Sequence, residues 1–220
     1  MKENLGLGLI PLLFVAATVL AEGPTAYDRA ARAEVYLKIR LQYAESTDYN
    51  PYASGLYEIR RKSNELLDKG DFEGAIQEAA KGLAIDRLNI RLLMTQAAAY
   101  RAKGDLQKAN ETRQTWTSLI DSIISHGDGK SFETAFQVIS TEEEYAVMIV
   151  AFGLDRGEQG LFEYNGSYFD VFTVQSGESG DESKLFFNVD IPFRWLLQHP
   201  IDEKRSETNQ SLQPAPISPE

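Results

Sequence analysis

The sequence predicts an α+β protein: a tetratricopeptide-like helical stack followed by a small antiparallel β-sheet with one packed helix. Three observations carry this. A turn signature repeats at a 34-residue interval, from Gly70 to Gly104, Asp71 to Asp105 and Ala75 to Ala109. Helix formers dominate up to Ser125, whereas short β-branched and aromatic runs follow Gly129. Asn165-Gly166 sits between two alternating segments, the strongest short hairpin pattern.

Residues 1–21 have the form of a secretory signal peptide. Lys2 is basic, Leu5 to Leu20 is an apolar run broken by Gly6, Gly8 and Pro11, and Val19-Leu20-Ala21 ends it with short side chains. The run is short for a spanning helix. Export to the periplasm or beyond is therefore expected, with no stable membrane span after cleavage. An uncleaved anchor is the alternative. With no cysteine, the chain has no disulfide framework, no thiolate zinc site and no lipid attachment point at the cleavage site.

Tyr27 to Ser46 reads as a helix, closed by Asp48-Tyr49-Asn50-Pro51, where proline disfavours helix at the residue before it. Helices are expected near 54–69, 71–84, 87–103 and 105–125. In each repeated turn, Gly takes the left-handed conformation and Asp caps the next helix. Gly82 and Arg87 depart from the usual repeat residues, alanine and proline. Helix 27–46 on one side and the C-terminal part on the other are expected to cover the two ends of the stack.

After the stack, Phe136 to Ile139 reads as a strand. Ser140-Thr141-Glu142-Glu143-Glu144 reads as a capping-box start, and Tyr145 to Phe152 as a short helix with a strand as its rival. Gln159 to Tyr164 and Ser167 to Val174 form the hairpin, Lys184 to Ile191 a further strand, and Pro192 starts a last short helix. The polar, Pro- and Ser-rich end reads as a disordered tail. The expected organisation is 1–21 signal peptide, 26–126 helical part, 127–198 small α+β part and 199–220 tail.

The formal net charge of −11 argues against nucleic acid or an anionic membrane as a partner, since both need a Lys/Arg surface. Gly127-Asp128-Gly129-Lys130-Ser131 looks like a phosphate loop. The loop motif needs a glycine at 124, where Ile124 stands, and a strand where Trp116 to Ser125 reads as helix. A tight turn is the better reading. A triad of Ser125, His126 and Asp128 is disfavoured because near-consecutive residues do not form a nucleophile–base–orienter chain. Only His126 and His199 exist, and no paired-histidine spacing supports a metal or other cofactor. The binding candidates are Asp128, Lys130, Ser131, Glu144 and Asp190, with the loop N–H groups and Lys130 as a possible anion site. Asp170 and Asp190 are expected to face solvent on one side of a sheet.

Ser125-His126-Gly127-Asp128-Gly129-Lys130-Ser131, Thr134 to Ser140, Glu143-Glu144-Tyr145 and Phe186 to Asp190 resemble the family catalogued as domain of unknown function 4919. Leu41 to Ala44 and Tyr49 to Tyr52 also resemble it. The resemblance implies an exported, mostly bacterial protein with no assigned reaction. It carries over no catalytic residue. The function expected is a non-enzymatic protein- or peptide-interaction module of the envelope. The alternative is a small-ligand-binding domain or hydrolase using acidic residues near the Gly127–Ser131 turn.

Overall fold

The computed structural model describes residues 25–154, 157–175 and 182–200. The expected signal peptide at 1–21 and the tail from 201 onward lie outside the described residues. Five helices form the N-terminal stack: α1 (Ala26–Ala44), α2 (Leu56–Asp68), α3 (Phe72–Ile85), α4 (Ile90–Ala102) and α5 (Leu106–Ile124). Strand β1 (Phe136–Gln137) follows, then α6 (Thr141–Ala146), which continues as one π-helical turn through Val147–Ala151. Strands β2 (Gln159–Tyr164), β3 (Ser167–Gln175) and β4 (Glu182–Asn188) complete a sheet, and α7 (Asp190–Gln198) ends it.

The repeated turn is repeated in geometry. Gly70 and Gly104 have φ of 78° and 85°. In each, the glycine and the following Asp donate backbone bonds to the last turn of the preceding helix, at Leu67 and Leu66 in one and at Arg101 and Tyr100 in the other. Asp71 and Asp105 then cap with φ of −80° in both and ψ of 73° and 72°, accepting from Gly74 and Lys108. Gly82, an oddity in the sequence, stands where any Cβ would collide with Leu92 and press on Ile59, so helices α2, α3 and α4 approach closely there.

The stack is arranged differently at its ends from the expected order. Helix α1 packs on α5, the last helix, and leaves α2 to pack on α3 and α4. Helix α1 therefore covers the α5 end of the stack. The face of α2 and α4, the first helix of each pair, is met by α6: Arg60 of α2 bonds Glu142, and α6 lies against α4.

The sheet order is β1-β4-β3-β2. It is mixed rather than wholly antiparallel, because β1 runs parallel to β4 with Phe136 opposite Phe187. Expected residues Val138 and Ile139 leave the strand, and helix begins at Thr141, as the Ser140–Glu144 capping pattern implies. Ser140 is the N-cap but makes no side-chain cap bond. Glu143 instead accepts from Ile139 N–H at 2.8 Å. Helix α7 starts at Asp190, two residues before Pro192. One apolar cluster runs through both parts, from Tyr43, Leu93, Leu119 and Ile123 to Phe136, Val147, Phe172 and Phe187.

Candidate functional site

The turn 127–135 is held from within. Asp128 and Gly129 N–H groups both donate to the Thr134 carbonyl, at 3.1 and 2.8 Å. Lys130 N–H donates to Asp128 Oδ1 at 3.1 Å, and Thr134 Oγ1 donates to the same oxygen at 2.6 Å. These bonds hold the exposed Asp128 carboxyl below its ordinary range, the Thr134 hydroxyl first. The N–H groups of Asp128, Gly129 and Lys130, expected to greet an anion, are thus spent inside the loop. Gly129 has φ of 67°, and a Cβ there would enter the Phe136 ring. Its carbonyl accepts from Phe186 N–H at 2.9 Å, tying the turn to β4. Phe132 then lies over the outer sheet face. It stacks on Tyr164 at 4.6 Å and meets Phe169 and Phe186 edge-on at 5.1 and 4.9 Å.

The five candidate residues do not converge. Asp128, Lys130 and Ser131 share the turn, where Ser131 Oγ lies 3.2 Å from Thr134 Oγ1 and the Lys130 side chain is 79% exposed. Glu144 is fully buried on α6. Asp190 begins α7 and accepts from Tyr168 N–H at 2.9 Å. Ser125 Oγ lies 3.0 Å from His126 Nδ1, and His126 Nε2 lies 3.0 Å from Glu34 Oε1. That chain of contacts uses Glu34 rather than Asp128 and stands on the open surface, with the Glu34 side chain 60% exposed.

The residues that the sequence reading missed lie beneath α6. Arg40 is 1% exposed and grips Glu143 twice, Nε to Oε1 at 2.7 Å and Nη2 to Oε2 at 2.6 Å. Its Nη2 also donates to the Gln137 carbonyl at 2.8 Å. The pair joins α1, β1 and α6. Asp170, expected at the surface, is 7% exposed and accepts from Gln159 at 2.8 Å. Burial pushes it up to about 6, against the lowering effect of Gln159 and the adjacent Glu144. Asp86 is likewise pushed up to about 6 by burial, with the Asn89 side chain and Leu88 N–H opposing. It borders a cavity of about 10 Å³ shared with Tyr43, Tyr49, Ser140 and Glu143. That is room for about one water, not for a substrate. Tyr43 is pushed up to about 12, chiefly by burial.

The β2 edge of the sheet, which pairs with no further strand among the described residues, is different in character. Thr173 N–H donates to the Glu158 carbonyl, and the hairpin closes at Tyr164 opposite Ser167. In that register Gly160, Phe162 and Tyr164 bond β3, while the N–H and C=O groups of Gln159, Leu161 and Glu163 face outward. Leu161, Phe162 and Tyr164 are 37%, 41% and 37% exposed. The stretch 157–175 holds no Lys or Arg, while Glu158 and Glu163 flank the edge and Glu133 holds Tyr164 Oη at 2.8 Å. Among the described residues, no group of three or more His, Cys, Asp or Glu is placed to hold a metal, and no helix is long and apolar enough to cross a membrane.

Fold and surface define an α+β protein whose helical stack is locked to a small mixed sheet. The family model described as Domain of unknown function (DUF4919) matches residues 27–195, and the chain belongs to that family. No curated protein and no solved structure matches the chain.

Proposed function

We propose that this chain is a non-enzymatic interaction module exported to the envelope, and that it binds a protein partner by adding an extended segment of that partner to the free edge of β2. The observation that carries this is the edge itself: outward backbone groups beside exposed Leu161, Phe162 and Tyr164. Neither lysine nor proline, the usual blunting devices, interrupts it. Strand addition draws affinity from main-chain bonds and specificity from alternate side chains. The acidic border selects a segment carrying apolar and basic residues. Export rests on the pattern of residues 1–21. Dispersal of the acidic candidates over the turn, α6 and α7 speaks against the ligand or hydrolase alternative, which would gather them in one cleft.

Glu163→Pro removes one outward N–H without touching a bond to β3, and edge strands tolerate proline. Retrieval of an envelope partner by the purified protein is expected to fail with Glu163→Pro and Phe162→Lys. It is expected to persist with Asp128→Asn and Lys130→Ala. The opposite pattern would move the site to the turn and sink the edge reading.

A further inference from the structure

Asn165-Gly166 is the one Asn-Gly pair in the sequence, and the structure puts it at the exposed tip of the β2–β3 hairpin. Both residues have positive φ, 51° and 79°, the two-residue turn that such a pair favours. The closing ladder pair is Tyr164 with Ser167, so the Gly166 N–H lies outside the ladder. Nothing lies within 4 Å of where a Gly166 side chain would begin, so the tip is open on that side and no side chain of residue 166 shields its own nitrogen. The other asparagines precede Leu, Pro, Glu, Ile, Val or Gln, whose side chains shield the following nitrogen.

We propose that Asn165 is a site of spontaneous deamidation that remodels the hairpin tip. The Gly166 amide nitrogen gives its proton to hydroxide and attacks Asn165 Cγ. An N–Cγ bond forms, the bond from Cγ to the side-chain nitrogen breaks, and ammonia leaves. Water then opens the cyclic imide. Attack at Cγ gives aspartate, and attack at the main-chain carbonyl gives isoaspartate, with the backbone routed through Cγ. No electrons are transferred.

The local chemistry sets the consequence. Asn165 adjoins Tyr164, whose hydroxyl donates to Glu133 Oε1 at 2.8 Å. A carboxylate in its place brings a second negative charge to that network. An isoaspartate also lengthens a turn whose geometry depends on two central residues. The Phe132–Tyr164 stack and the bond from Arg194 to the Gly166 carbonyl are anchored at this tip. The effect on partner binding rests on the β2-edge reading, but the modification itself does not.

The test is incubation of the folded full chain in water labelled with heavy oxygen at mildly alkaline pH, followed by peptide mapping. Label is expected at residue 165 an order of magnitude faster than at Asn110 or Asn89. A synthetic peptide spanning 159–172 supplies the unfolded rate, and Asn165→Ser abolishes the signal. If residue 165 stays unlabelled in the folded protein while the peptide takes up label, the turn protects the site and the proposal is overturned. Equal labelling of Asn165 and Asn110 also overturns it. Partner retrieval, measured separately, reports on the edge reading and not on this one.

Discussion

Arg40 enters the core with its charge because several elements offer it acceptors at once: Glu143 on α6, the Gln137 carbonyl on β1 and Ser122 on α5. Removing one partner of such a pair strands the other. Arg40→Ala and Glu143→Ala are each expected to lose about 3–5 kcal/mol in urea unfolding. The double variant should lose clearly less than the sum; strict additivity would show that the pair is not a unit. Asp86 makes a second prediction. Its folded carboxyl holds a proton up to about 6, against 3.8 for an unperturbed one. Its stabilising contribution is thus full below about 3.8 and is lost as pH rises through about 6, on the order of 2–3 kcal/mol. The exposed Asp28, Asp105 and Asp128 are shifted the other way. The comparison is therefore between wild type and Asp86→Asn, whose stability should fall less steeply between those pH values. An unchanged slope would place Asp86 in water. None of this was legible in the sequence. Nothing near Arg40 marks it as buried, because its partners lie 82 to 103 residues away.

Elements whose signals are local read well. The two Gly-Asp turns are matched to within a few degrees, and the Asn-Gly hairpin holds the register its alternation implies. The stretch 125–145 reads less well. Its turn and the helix start after Ser140 were evident, but not that Phe136-Gln137 is only two residues of parallel strand, nor that the helix passes into a π-helical turn at Val147. The strand's early end is set by Glu142 and Glu143 reaching arginines on α2 and α1, and local propensity does not carry that information. Asp170 was misread for the same reason: strict alternation places it on one face, but that face is buried there, with Gln159 of β2 and Glu144 of α6 beside the carboxyl. Gly129 shows how tightly the turn is tied to the core. Gly129→Ala meets both a left-handed φ and the Phe136 ring. It is expected to lower stability by about 1–3 kcal/mol. Gly104→Ala, at φ of 85° with open space around it, should lose only about 1 kcal/mol. Equal losses in thermal unfolding would mean that the Phe136 contact carries no weight.

At the scale of the molecule, the 34-residue period foretold a stack but not its use. The face of α2 and α4 that a repeat protein would offer to a peptide meets α6, and one apolar core joins stack and sheet. Arg60 with Glu142 and Arg40 with Glu143 fasten that closure. Among the described residues, the outermost strand on the far side of the sheet is β2. Its aromatic residues were visible in the sequence as an alternating strand. Their exposure was not, because the order β1-β4-β3-β2 that leaves β2 outermost follows from how β4 inserts beside β1. Amide hydrogen exchange on the full chain, free and bound to its retrieved partner, tests this most directly. The account predicts new protection at Gln159, Leu161 and Glu163, with the 127–135 turn unchanged; protection gained at the turn while the β2 amides exchange as before would contradict it.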